Sequence, residues 1–398
     1  MSKINLRESR LRANPAYELV LYDRLSEPEK HVLRSLAEDP ECYGVLRPRA
    51  DSTLSMKSVS QDTALLLFSL QAPGLLPRFA VEALRDECDQ VIGKMILDGV
   101  LELEIDDAMV CGPAAFAVLS GAGVTANHVG TLAEMSRRAI DYAAALELAD
   151  PIALAGRLYR YNTIPASRRW RELLPDDGAT AEYLGLVGGA AGRTLAGEWR
   201  SLPESEGWIS WQSRGGRAAR PYDGNAESTY KLYVSPTCER LREVVEGVAA
   251  AIARANAVQW KVGKGIHGLL RPDKIVVYFR QFADLQETAL KIVANLQGCS
   301  SHGVPFTAEL AGAGLLSWGV DPPMDARGEL WSRAESWRVK VCNRLALALT
   351  QALAQRGQHQ SVSPAQLVSP TQFALERLRL EGVDTDTWTA GRVLSWSN

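Results

Sequence analysis

From residue 228 onward the hydrophobic period of this chain alternates between two and 3.6 residues, and that alternation constrains the fold more than any other feature. STYKLYVS reads as a strand, and after Pro236 the residues Leu241, Val244, Val245, Val248 and Ile252 fall on one helical face. AVQWKVG and DKIVVYF are two more strands joined by a loop. Leu285, Ala289, Ile292 and Val293 mark a second amphipathic helix, and PFTAEL closes the series as a strand. The order β-α-β-β-α-β predicts a split βαβ arrangement, an α+β domain in which helices cover an antiparallel-containing sheet. A helix over residues 331–355 packs beyond it and carries Arg338 and Arg344, which could reach back toward the sheet.

Upstream, residues 1–42 read as an N-terminal helical arm and residues 43–112 as a winged-helix-like unit. In that unit a short strand is expected around Leu54 and Met56, with Asp62 capping the next helix and a turn at Pro73-Gly74. Val81, Leu84, Cys88, Val91, Ile92 and Met95 follow at helical spacing, and Gly99 ends that helix before the strand VLELEI. Residues 113–175 read as a helical linker and 176–226, rich in Gly, Arg and Trp, as a loop or lid. The α+β domain then occupies residues 227–398. GGAAGR lacks the Walker lysine and the strand–helix context of a nucleotide loop.

Residues 259–280 gather Lys261, Lys264, His267, Arg271, Lys274 and Arg280 around glycines. Cations two apart on a strand share a face, and glycines let backbone N–H groups approach a ligand, so this stretch is a candidate phosphate site. A solvated basic hairpin is the alternative. Residues 208–280 hold 12 Lys+Arg against 6 Asp+Glu although the whole chain is formally −3. Such a local field draws anionic ligands to one face. The net charge argues against a nucleic-acid-coating protein. No apolar run reaches the length of a membrane span and the N-terminus lacks a signal-peptide core, so a cytoplasmic location is expected. The six cysteines show no CxxC spacing, which points to reduced thiols and no structural metal. No cofactor is called for.

The N-terminal unit, through LRPR, SQDTALLLFSL and VIGKMILDGVLELE, resembles the precursor-peptide recognition element of pathways for ribosomally made, modified peptides. The resemblance implies that a leader peptide adds as a strand in a groove between residues 52–58 and the helix, against Leu54, Met56, Val91 and Met95. Those apolar residues would also serve as plain core. A DNA-reading winged helix is disfavoured by Glu82, Asp86, Glu87 and Asp89 on that helix.

Residues 227–355, through YKLYV, WKV, the basic loop, VVYF and FTAELAGAGLLSWGVDPP, resemble the HopA-type effector family and the lyase subunit of class V lanthipeptide synthetases, relatives of the phosphothreonine lyases. The resemblance implies β-elimination of phosphate from phosphoserine or phosphothreonine in a precursor peptide, with a kinase and a cyclase as further partners. It implies Lys261 as base and Lys231 as a phosphate contact, with Lys264 and Lys274 nearby. Arg271 or Arg280 would be the loop arginine, Arg338 or Arg344 the helix arginine, and Tyr278 would lie beside the substrate. Where effector lyases place a histidine acid this chain has Tyr233. Tyr233 or His267 would then act as acid, or the site holds a phosphorylated residue without cleaving it, as a scaffold. RNA binding through Tyr230, Tyr233, Tyr278 and Phe279 is a weaker alternative, because the glycine-aromatic strand motif is absent.

Overall fold

Two-residue alternation decides the central sheet. In the strands Thr229–Val234, Gln259–Gly263 and Ile275–Phe279, the residues Leu232, Val234, Trp260, Val262, Ile275, Val277 and Phe279 are fully buried on one face. That face packs on the helices Leu241–Ile252 and Phe282–Asn295. The register sets Lys231 opposite Tyr278, Tyr233 opposite Val276, and Lys261 opposite Val276, so these residues all lie on the other face. The structure, a computed structural model, describes residues 5–33, 42–49, 54–119, 130–203, 205, 207–214, 229–311, 313–321, 335–358 and 369–390.

The fold is mixed helix and sheet, of the α+β class. The sheet is larger than the sequence pattern indicates. It has seven strands, in the order Ala308–Ala311, Leu316–Asp321, Thr229–Val234, Ile275–Phe279, Gln259–Gly263, Trp208–Ser213 and Trp199–Ser201, with every neighbouring pair antiparallel. Part of the expected lid, residues 176–226, is therefore built into the fold. Its first part forms the helices Asp177–Tyr183 and Ala190–Glu198 and the last two strands, with Gly185, Gly188 and Gly189 between the helices and Trp211 stacked on Trp260 at 4.6 Å. Residues 215–228 lie outside the described residues.

The N-terminal arm is likewise not helical throughout. Leu11–Ala13 pairs with Leu101–Ile105, and Tyr17–Leu21 pairs with Cys42–Pro48, because Leu11, Tyr17 and Val20 need a buried side. The strand expected around Leu54 and Met56 falls instead at Lys57–Ser60, and the next helix is capped by Ser60 rather than Asp62. The Val81–Met95 periodicity is split into helices Arg78–Leu84 and Cys88–Leu97 by a turn in which Arg85 has φ 44°. Gly99, at φ 72°, ends the second helix as expected.

The helices Thr131–Ala145, Pro151–Tyr159, Trp337–Gln358 and Pro370–Leu380 share one apolar core with the N-terminal unit, so the middle helices are structural rather than a linker. Trp337 covers the sheet where Gly319, cross-strand neighbour of Lys231, leaves space: a Cβ on Gly319 would meet the Trp337 ring at 2.7 Å. Among the described residues no helix is long and apolar enough to cross a membrane.

Gly263 and Gly268 bring the end of the Gln259–Gly263 strand against the helix Gly265–Leu270, where a Cβ on Gly263 would lie 2.1 Å from the Gly268 carbonyl oxygen. Gly263→Ala should cost about 1–3 kcal/mol by overpacking against backbone. Gly197→Ala, with nothing within 4 Å, should be neutral or stabilising. Urea denaturation of both variants checks the contrast.

Candidate active site

The cationic face of the sheet holds four cations interleaved with three aromatic rings. Lys231 Nζ is 5.2 Å from the centroid of the Tyr278 ring, and Lys261 Nζ is 5.6 Å from the same ring. Lys261 Nζ also lies 4.1 Å from the centroid of the Trp208 ring, and Arg271 approaches the same ring at 4.5 Å. Arg271 and Arg338 then share the Tyr159 ring, at 5.8 and 4.5 Å. Each ring is shared by two like charges and offers both its electron-rich system, which offsets part of their repulsion.

Two carboxylates anchor the ends. Asp273, 4% exposed, contacts Arg271 Nε at 2.5 Å and Arg338 at 2.8 Å and accepts a hydrogen bond from the Tyr159 hydroxyl at 3.1 Å. Burial opposes its ionisation, but Arg338 and Arg271 outweigh burial and hold its pKa down at about 2. Arg338, nearly inaccessible, also donates to the carbonyls of Pro305 and Tyr159. At the other end Lys231 pairs with Asp321 at 2.5 Å, and the second Asp321 oxygen accepts the Trp337 N–H.

Lys261, in the middle, has neither a carboxylate nor a hydrogen-bond partner among the described residues. Its amine is pushed down to about 8, first by burial and next by Lys231. Tyr233 lies on the same face, 3% exposed, and burial followed by the Asp321 charge raises its phenol well above the ordinary value.

The structure thus brings together Lys231, Lys261, Arg271, Arg338, Tyr233 and Tyr278. Lys264 pairs with Asp177 at 3.0 Å, and Arg344 pairs with Glu381 at 3.2 Å in a separate cluster. His267 is exposed on its short helix, and Arg280 lies half-buried just past the Ile275–Phe279 strand. Lys274 is fully buried and reaches past the strand end, donating to Pro236 O and to His302 Nδ1, while His302 Nε2 faces Asn162 O at 2.6 Å. Burial and then Lys274 hold His302 down at about 4, so it is neutral, with its proton on Nε2. Tyr230 and Phe279 face the apolar side, so the four aromatics invoked for RNA do not form one platform.

Asp273, Asp321, Tyr159, Trp208 and His302 are the members that sequence reasoning did not assign. Asp273 had a local signal, a lone acid between Arg271 and Lys274. The others come from distant segments and have none.

A second concavity, a cleft of about 710 Å³, separates Leu54, Ser55 and Lys57 from Leu347, Gln351 and Ala354 of the long C-terminal helix. Of the four residues assigned to leader binding, Leu54 lines this cleft. Met56 packs with Val20 and Val45, Met95 packs on the main core, and Val91 is half-buried.

No model of a protein family matches the chain, and neither does any curated protein. Among solved structures it is similar to an effector protein of Pseudomonas syringae pathovar tomato, at 12% identity and TM-score 0.38 over 66% of this chain and 98% of that one. An effector of Pseudomonas syringae pathovar syringae gives 14% and 0.39 over the same shares. The phosphothreonine lyase effector of Chromobacterium violaceum gives 9% and 0.27, over 52% of this chain and 97% of that one. At these scores the likeness assigns neither activity nor site residues.

Asp273→Asn should leave Arg338 buried without its counter-ion and cost about 3–5 kcal/mol in urea denaturation, whereas Asp177→Asn, at an exposed pair, should change little. In the wild type, Asp273 contributes stability above the ordinary carboxylate range, and that contribution should be lost as pH falls through about 2.

Proposed function

We propose that this chain eliminates phosphate from a phosphoserine or phosphothreonine residue of a peptide, leaving a dehydroamino acid. The observation that carries the reading is Lys261, an amine with its pKa lowered to about 8, without a carboxylate partner among the described residues, and set among cations that suit a phosphate. A base for a weakly acidic Cα–H must be neutral, and a departing phosphate needs fixed positive charge around it. In the proposed step Lys261 Nζ takes the Cα proton, and the C–H electron pair becomes the Cα=Cβ bond. The Cβ–O bond breaks with its pair going to the phosphate oxygen. Tyr233, kept protonated by its surroundings, donates its O–H to that oxygen. Lys231 and Arg271 hold the phosphate, and the Tyr278 and Trp208 rings wall the pocket.

The proposed substrate is a ribosomally made precursor peptide, phosphorylated by a partner kinase, whose dehydroamino acids a cyclase then consumes. The cleft beside Leu54 supports a leader-binding role. Its neighbour Lys57–Ser60 is an edge strand, hydrogen-bonded to Cys42–Pro48 on one side, and an edge can accept an added strand. Leu54→Asp, which sets a charge in an apolar wall, should weaken precursor binding at least tenfold by fluorescence anisotropy while a leaderless phosphopeptide binds as before. Equal binding of the precursor would remove the cleft from this role.

A non-catalytic phosphopeptide scaffold is the second reading, favoured by Asp321 and Asp273, which already occupy three of the four cations. Mass spectrometry of a phosphorylated precursor separates the two. Loss of phosphoric acid is expected with the wild type, and Lys261→Ala should slow it on the order of 100- to 10,000-fold with little change in affinity. Because the base works as the neutral amine, kcat/KM should rise with pH and level off above about 8. Binding without any elimination would leave the scaffold.

A further inference from the structure

Asp321 is out of place in a pocket meant for an anion. Its carboxylate sits 2.5 Å from Lys231 Nζ, with 14% of its side chain exposed and 9% of the lysine's. Its other oxygen accepts the N–H of Trp337, the first residue of the helix Trp337–Gln358. Arg338, the next residue, reaches Asp273, so this one carboxylate ties the lysine to the helix that supplies the far end of the site.

The charge balance gives the acid a purpose. Among the described residues, Lys231, Lys261, Arg271 and Arg338 against Asp273 and Asp321 leave an excess of two positive charges with Lys261 protonated and one with it neutral. A phosphate monoester carries about −1.5 to −2 at neutral pH. With Lys261 protonated, as it is once it has taken the Cα proton, the site just neutralises the phosphate. Without Asp321 it would carry one positive charge more and would retain the inorganic phosphate released by the reaction.

The geometry points to Asp321 as a positioning residue that orients Lys231 and lowers the pocket's affinity for phosphate so that the product leaves. The inference rests on the phosphate-site reading above. As an internal counter-ion, Asp321 shares Lys231 with the bound anion: tight enough to hold the ammonium in place when the pocket is empty, and repulsive toward the phosphate oxygens when it is full. It also favours the charged form of Lys261 and the protonated form of Tyr233.

Inorganic phosphate is the probe, measured by isothermal titration calorimetry on the full chain. Asp321→Asn keeps an acceptor for the Trp337 N–H and removes only the charge. It should bind phosphate about tenfold more tightly, a change of about 1.4 kcal/mol. With a phosphopeptide its kcat and KM should fall together, and the limb of its kcat/KM profile should move to lower pH, which loss of structure alone would not produce. Asp321→Ser serves as a second neutral variant should the first misfold, and Asp321→Glu should restore wild-type phosphate affinity. Unchanged or weaker phosphate binding in a folded neutral variant overturns the role given to Asp321. Failure of the wild type to bind phosphate at all overturns the site reading beneath it.

Discussion

Four cations cannot crowd one largely buried face of a sheet unless something offsets their repulsion. Here three aromatic rings are each shared by two of the cations, and two carboxylates pair with three of the four. The consequence falls on the middle. Arg271 and Arg338 share Asp273 and Lys231 pairs with Asp321, so Lys261 alone among the four touches no carboxylate among the described residues, and burial and Lys231 lower its pKa against the pull of Asp273 and Asp321. That is the condition under which a lysine gives up its proton near neutral pH. The ends hold charge, and the centre can lose it.

The rest of the fold is arranged around that series. One face of the sheet is wholly apolar and fixed on two helices, which locks the register, and with it the alternation that sends Lys231, Tyr233, Lys261 and Tyr278 to the opposite side. The helical layer over that side is more than cover. The helix Pro151–Tyr159 ends in the ring shared by the two arginines, and the helix Trp337–Gln358 begins with the indole that fills the space beside Gly319 and with the buried Arg338. Ser136 Oγ, which accepts the Phe306 N–H, and Asn162, which donates to the carbonyls of His302 and Gly303, fasten the same layer to the loop before the Ala308–Ala311 strand.

What was legible in the sequence follows from range. The strands around Lys231, Lys261 and Tyr278 and the two covering helices were readable because two-residue and 3.6-residue periods are local signals, and the strand lysines were readable with them. The strands Trp199–Ser201 and Trp208–Ser213 were not. Trp208 and Trp211 lie among glycines and arginines, and only pairing with the Gln259–Gly263 strand gives them regular structure. Long cationic side chains were the other failure. Lys264 and Arg344 look like Arg271 and Arg338 in sequence, but acids from remote elements, Asp177 and Glu381, take them elsewhere. His302 finds its partners in Lys274 and Asn162, both distant in the chain, so no local signal marks it.

The proposed function requires this series of cations and rings to hold a phosphate beside Lys261. Crystals soaked in tungstate, a heavy phosphate analogue, test it by anomalous diffraction. The account predicts a single strong site within hydrogen-bond reach of Lys231 Nζ and Lys261 Nζ, between the Tyr278 and Trp208 rings. Tungstate bound elsewhere at saturating concentration, with this pocket empty, would contradict it.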